Sequence, residues 1–178
     1  MLGFVNVDND AKSKPDFLWD LEQTPWPWGE GTVEHIVLTH TLEHLGATSE
    51  RYLAIWKEMY RVLTNGGVVE ITVPHWRHDN FVNDPTHVRA ITPAGIAMFD
   101  QEQNMENMRV NGADTKLGLM CRIDFSLAKV RYDLAEPWLS QMQSGQLREA
   151  DIVEMVSTRF NVCEQIAIMA VANKPCRY

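Results

Sequence analysis

The chain is poor in cysteine. Its 178 residues include only Cys121, Cys163 and Cys176, scattered and without a C-x-x-C pair. This argues against a disulfide framework and favours a reduced, cytoplasmic protein. It also lacks any apolar run long enough to span a bilayer, so no membrane partner is expected. The N-terminus lacks the charged, apolar, small-residue order of a signal peptide. No internal repeat or low-complexity tract occurs. An excess of basic charge is missing too: Lys and Arg total 16 against 24 Asp and Glu, a formal net charge of −8. That argues against general nucleic-acid binding but leaves room for a local basic patch. What remains is an ordinary globular composition, 45% apolar, and a length sufficient for one substantial core.

The chain is organised around the stretch from Val33 to His75. Ile36, Val37 and Leu38 form a short apolar run suited to a buried strand. Ser49 offers an N-cap, and Glu50 suits the positive end of a helix. Tyr52, Ile55, Trp56, Met59, Val62 and Leu63 then recur at helical spacing, leaving Arg51, Lys57, Glu58 and Arg61 mainly for solvent. Asn65-Gly66-Gly67 is expected to end the helix through a left-handed cap. Val68 to Val73 is a second β-branched run, closed by Pro74. Strand, helix, strand is a crossover unit with parallel strands and a right-handed connection. Ligands in such sheets bind beyond the carboxyl ends of the strands. Thr39-His40-Thr41 and Pro74-His75-Trp76 should therefore face one crevice.

The flanks are simpler. Phe4 to Val7 reads as a short strand ending at Asp8, and Phe17 to Leu21 as another apolar run. The prolines of Thr24-Pro25-Trp26-Pro27-Trp28-Gly29 keep that segment extended. Trp76 to Arg89 is rich in His, Asn, Asp and Arg and has no period. Thr92-Pro93 predicts a short helix through Phe99. Asp100 to Gly118 is polar and reads as an exposed excursion. Leu119, Cys121, Ile123, Phe125 and Leu127 alternate like a half-buried strand. Glu136 to Thr158 is helical in part, interrupted near Ser144-Gly145, and Phe160 to Ala172 closes the chain as a strand. The fold class is α/β: a Rossmann-like, mostly parallel sheet with an antiparallel C-terminal edge.

Several segments, in order, carry a family likeness: Asn6-Val7-Asp8; Asp20-Leu21 followed by Pro25-Trp26-Pro27-Trp28; Leu38 to Leu45 with Leu42-Glu43-His44; and Arg61-Val62-Leu63-Thr64-Asn65-Gly66-Gly67. Asp84-Pro85-Thr86-His87 adds to them. Over roughly residues 3 to 99 the chain resembles the class I S-adenosylmethionine-dependent methyltransferases of the small Rossmann-like type. The family's usual proline in R-V-L-x-P-G-G is here Asn65. Its first strand and G-x-G-x-G-like loop, which holds the methionine part of the cofactor, have no counterpart, so the expected fold is N-terminally truncated. Residues 1–178 are then one methyltransferase-like domain. Residues 1–99 form its cofactor side, and 100–178 hold the acceptor-side insertion and closing strands.

The resemblance implies methyl transfer from S-adenosylmethionine to an acceptor that the sequence does not name. It places Asp8 on the ribose hydroxyls, where a strand-end carboxylate can accept two hydrogen bonds from a vicinal diol; the alternative is one more turn residue in Val-Asp-Asn-Asp. It sets Asp20 and Leu21 beside the adenine, or as a cap, and Thr39 and His40 on the pocket floor. A general base, where the acceptor needs one, should come from the loop after Pro74, as His75, His78, Asp84 or His87; His87 is the first choice, because Asp84 could orient its ring. Each of these also fits an ordinary loop hydrogen bond. A second class of reading is a catalytically degenerate, methyltransferase-like binding or regulatory subunit.

His40-Thr41-Leu42-Glu43-His44 also fits H-x-x-E-H, a zinc-peptidase pattern. That chemistry needs both histidines on one helical face. His40 ends a strand-like run and Gly46 follows closely, so His40 and His44 should not share a helical face, and the protein is expected to carry no stoichiometric zinc and no other metal site. The missing strand raises a separate issue, because a gap in the sheet would leave unpaired backbone groups costing ~1–3 kcal/mol each. Either Phe4–Val7 pairs directly with Ile36–Thr39, or a second chain fills the opening. A homodimer is the expected outcome.

Overall fold

The computed structural model describes residues 3–178. Met1 and Leu2, which open the short segment expected to lead into the first strand, lie outside them. The architecture is α/β, with two separate sheets. Strands β1 (Val7–Asp8) and β2 (Phe17–Leu18) pair in parallel. The main sheet holds β3 (Val33–Thr39), β4 (Leu63–Pro74), β5 (Phe125–Leu134) and β6 (Cys163–Ala172) in the order β3-β4-β6-β5. β3 and β4 are parallel, and β6 runs antiparallel to both β4 and β5. The sheet is therefore mixed, and its antiparallel part is the whole of the C-terminal half.

The crossover between β3 and β4 is helix α1 (Ser49–Val62). Its cap is Thr48, one residue before the expected Ser49; the Thr48 hydroxyl accepts from the Arg51 amide at 3.3 Å. The helix does not end on Asn65-Gly66-Gly67. Leu63 turns directly into extended backbone, and residues 64 to 67 form a bulge in β4. Gly66 supplies the positive φ of 78° that this bulge needs. Glu58, expected at the surface, is buried. Its carboxylate accepts from the Trp26 amide at 2.6 Å and from Arg61 Nε and Nη2 at 2.9 and 2.7 Å. Arg61 also donates to the Trp26 carbonyl at 3.0 Å. The Trp26–Trp28 segment is thus strapped onto α1.

The core lies between α1 and the sheet. Trp56 is fully buried, stacked on Phe99 at 4.6 Å and edge-on to Phe125 at 5.2 Å. Such pairs add about 0.5–1.5 kcal/mol beyond the area they bury. Residues 79–121 carry short helices: α2 (Asp79–Val82), α3 (Pro93–Ala97), α4 (Gln101–Arg109) and α5 (Leu117–Cys121). Thr92 caps α3 as expected, accepting from Gly95 at 3.0 Å. The polar excursion is in fact α4, capped by Asp100, whose side chain accepts from Glu102 at 2.9 Å and Gln103 at 3.3 Å. The alternation read around Leu119 to Leu127 is a helix followed by the start of β5. Helices α6 (Trp138–Gln143) and α7 (Glu149–Thr158) flank Gly145, as the sequence indicates. No helix of the described residues is long and apolar enough to cross a membrane.

Of the two expected ways of closing the gap, the direct pairing of Phe4–Val7 with Ile36–Thr39 does not form. β1 pairs with β2 instead, and the outer edge of β3 has no strand beside it among the described residues. Contact across the opening is made by side chains: Phe4 meets His35 edge-on at 5.4 Å. A short strand of two residues satisfies its own hydrogen bonds against β2, so the opening stays as a cleft.

The C-terminus is clamped to the core by charge. Asp124 is fully buried and accepts from Arg177 Nε at 2.6 Å and Nη2 at 2.8 Å, and from the Gln101 amide at 3.1 Å. Burial pushes the Asp124 carboxyl up, but Arg177 and the Gln101 amide together hold it below the usual carboxylate range. A lowered folded-state pKa stabilises the fold above the ordinary value near ~3.9, and the contribution is lost as pH falls through the folded value. Arg177→Ala should cost about 3 kcal/mol at pH 7, the low end for breaking a buried pair, because the guanidinium is one-third exposed (34%). Urea unfolding at pH 7 and pH 3 checks this: the difference between wild type and variant should shrink at the lower pH.

Candidate functional site

Two recesses meet at the carboxyl end of β3. The larger is the cleft between the 3–8 segment and the free edge of β3, about 970 Å³. Asp8, Leu21, Trp26, Leu38 and Thr39 line it. Asp8 ends β1, and its Oδ1 accepts from the Asp10 amide at 2.7 Å. That turn orients the carboxylate and leaves Oδ2 without a hydrogen-bond partner among the described residues. Leu21 is held by its carbonyl, which accepts from Trp26 Nε1 at 3.0 Å. Of the sequence-predicted cofactor residues, the structure brings Asp8, Leu21 and Thr39 to this cleft. Asp20 caps the next turn instead, accepting from Glu22 at 2.9 Å, and is not part of the lining. His40 turns away into the second recess.

The second recess, about 460 Å³, is lined by His40, Glu43, His44, Asp84, His87 and Gln165 among others. It is built by the turn that follows β3. His40 has a positive φ of 48°, which swings the chain out of the strand. Leu42–His44 then make a single 3₁₀ turn. The H-x-x-E-H stretch is therefore not an α-helix, and the zinc-peptidase geometry is not formed. Gly46 closes the turn with φ 68°. A Cβ there would lie 2.6 Å from the Cα of Tyr52, so only glycine fits. The Gly46 amide donates to Glu22 Oε1 at 2.6 Å, and its carbonyl accepts from Arg89 Nη2 at 3.1 Å.

The loop from Asp84 to Arg89 is stitched over this turn by main chain. The Glu43 carbonyl accepts from Val88 at 2.9 Å and Arg89 at 3.3 Å. Thr86 donates to Asp84 Oδ1 from its hydroxyl at 2.6 Å and its amide at 2.8 Å. These bonds hold the Asp84 carboxyl below the usual range. Asp84 Oδ2 lies 3.8 Å from His87 Nε2, so the sequence-predicted pair does come together. His87 and His44 are neighbours, with ring centroids 4.6 Å apart.

His75, an alternative base, is elsewhere. It is 1% exposed and stacked on Trp76 at 3.9 Å, and its Nδ1 accepts from the Arg77 amide at 3.2 Å. Burial, with Arg77 and His78 nearby, pushes its pKa down to about 4. It is not part of the recess lining. Sequence reading missed that Glu43 would be buried near His87, because nothing in local spacing links positions about 44 residues apart.

No family model matches the sequence, and no curated protein matches it. Its fold has solved counterparts. A SAM-dependent methyltransferase from Archaeoglobus fulgidus superposes with a TM-score of 0.57 at 16% identity, over 93% of this chain and 74% of that one. A SAM-dependent methyltransferase from Thermotoga maritima, described as a possible histamine N-methyltransferase, gives 0.44 at 14% identity, over 92% and 67%. The fold is of the Rossmann-like methyltransferase type. At such identities the likeness concerns the fold alone.

The lowered His75 pKa has a measurable consequence. Its contribution to stability is full above the unfolded value near ~6.5 and is lost as pH falls toward about 4, because the unfolded chain takes up the proton first. Imidazole ¹⁵N shifts should report His75 as neutral at pH 5.5. A protonated ring at that pH would mean that His75 is not enclosed as described.

Proposed function

We propose that this chain is an S-adenosylmethionine-dependent methyltransferase whose cofactor occupies the cleft between β1 and β3. The supporting observation is the convergence of Asp8, Leu21 and Thr39 on that one cleft at the carboxyl ends of β1 and β3, in a fold of the methyltransferase type. The fit is uneven. A strand-end carboxylate with one oxygen unpaired among the described residues suits a ribose diol, and Leu21, Leu38 and Trp26 offer an apolar wall to a purine. Among the described residues no glycine-rich turn offers amides to an amino-acid carboxylate. The residues present fit the nucleoside half of the cofactor.

When bound, the cofactor supplies an electrophilic methyl carbon on a sulfonium. The chain's own task is positioning: Asp8 fixes the sugar, Thr39 ends the strand that separates the two recesses, and the second recess is where an acceptor would sit. The absent amino-acid cradle supports one further reading, a nucleoside-binding or regulatory subunit that does not itself transfer methyl groups. The free backbone edge of β3 supports self-association, because unpaired strand groups favour a partner.

Calorimetry with S-adenosylhomocysteine tests the cofactor assignment. Binding is expected, and Asp8→Ala should weaken it by ~1–3 kcal/mol through lost charge-assisted hydrogen bonds. An unchanged affinity in Asp8→Ala would remove Asp8 from the site; no heat with either protein would remove the cofactor. Sedimentation equilibrium tests association, with a dimer expected and Val37→Pro, on the exposed edge, shifting it toward monomer.

A further inference from the structure

We propose that Glu43, His44 and His87 form a binding site for a divalent first-row transition-metal ion, of the zinc type. One potential ligand atom from each of the three lies within 4.8 Å of the others. Ligand atoms about 2.1 Å from a tetrahedral ion lie about 3.4 Å apart, so only small side-chain adjustments separate this arrangement from a coordinated one.

Three independent features point to a ligand. First, Glu43 is 1% exposed, and neither of its carboxylate oxygens has a hydrogen-bond partner among the described residues. An isolated buried carboxylate is costly unless a cation or donors compensate it. His40 Nδ1, on a half-exposed ring, is 3.5 Å from Oε1, too long for a hydrogen bond of normal strength.

Second, both histidines are fixed in the tautomer that metal binding requires. His87 Nδ1 lies 2.8 Å from the Phe81 carbonyl, so it must donate. His44 Nδ1 lies 3.3 Å from the Thr86 carbonyl and 3.0 Å from the Thr86 hydroxyl. That hydroxyl already gives its proton to Asp84, so His44 Nδ1 must donate as well. In both neutral rings the lone pair is therefore on Nε2. Anchoring one ring nitrogen on a carbonyl while the other binds the ion is how proteins orient metal-ligating histidines.

Third, the scaffold is rigid. The Glu43 carbonyl takes the Val88 and Arg89 amides, which locks the His87 loop to the turn that carries the other two ligands. Two imidazoles and one carboxylate favour zinc, cobalt or iron(II) over magnesium or calcium, which prefer oxygen ligands. Asp84 and Gln165 line the same 460 Å³ recess. A metal here would occupy the lone pair that a general-base role for His87 needs, so the two roles exclude each other.

The test uses the full chain without any methyl donor, so it is independent of the cofactor reading. Metal-free protein is titrated with zinc chloride by calorimetry, and cobalt(II) loading is followed by its visible ligand-field bands. One ion per chain is expected. His87→Ala and Glu43→Gln should each weaken binding by more than about 100-fold. His35→Ala, outside the cluster, should leave it unchanged. Glu43→Gln keeps side-chain size, and circular dichroism establishes that each variant is folded. Should His87→Ala fail to fold, His44→Ala takes its place. Absence of zinc and cobalt binding by the wild type, or binding that survives Glu43→Gln, overturns the proposal. So does an equal loss in His35→Ala.

Discussion

A carboxylate buried without a hydrogen-bond partner constrains the centre of this molecule. Glu43 sits in a single 3₁₀ turn at the end of β3, with its backbone carbonyl satisfied twice and its side chain not at all. Placing such a group in the interior costs several kcal/mol unless something compensates it. The surroundings do not relieve that cost with amides or hydroxyls. They supply two imidazoles whose proton-bearing nitrogens face away. The polar groups around Glu43 are arranged for a positive ion rather than for a neutral donor network.

The turn that creates this arrangement depends on backbone geometry at its two ends. His40 enters it at positive φ, where a side chain is strained, and Gly46 leaves it where no side chain fits. Strain at the entry is offset by main-chain pairing on both sides: the His40 amide donates to Thr72 on β4 at 2.8 Å, and the 88–89 amides donate to Glu43. Arg89 contributes further by reaching the Gly46 carbonyl and lying 4.3 Å over the Tyr52 ring. The recess is thus braced by the crossover helix as well as by the strand.

Much of the fold was legible in the sequence because it rests on periodicity. The β3-α1-β4 crossover, the Thr92-Pro93 helix start, the break at Gly145 and the closing β6 follow from local patterns. The misreadings share a cause, which is tertiary override of local chemistry. Asn65-Gly66-Gly67 looks like a helix stop, but Leu63 is already needed by the sheet. Glu58 looks solvent-facing, but the Trp26 amide requires an acceptor on α1. The polar 100–118 stretch hides a helix because its cap, Asp100, also serves Arg177 from the far end of the chain. The site divides in the same way. Asp8 and Leu21 are visible as strand-end residues, whereas the meeting of Glu43 with His87 comes from a loop folding back from 44 positions further along the chain.

The two recesses are separated by the last residues of one strand. Thr39 faces the cleft toward β1, and His40, the next residue, faces the recess that holds Glu43 and His87. Alternation along a strand already sends neighbours to opposite sides, and the positive φ at His40 reinforces the divergence. A ligand in the cleft and a ligand in the recess would therefore approach each other only across the Thr39–Thr41 step. That step is tied to β4 by the His40 amide, which donates to the Thr72 carbonyl at 2.8 Å. The side chains of His40 and Glu43, with Nδ1 and Oε1 3.5 Å apart on the recess side of that step, give coupling between the recesses a route that needs no movement of β3.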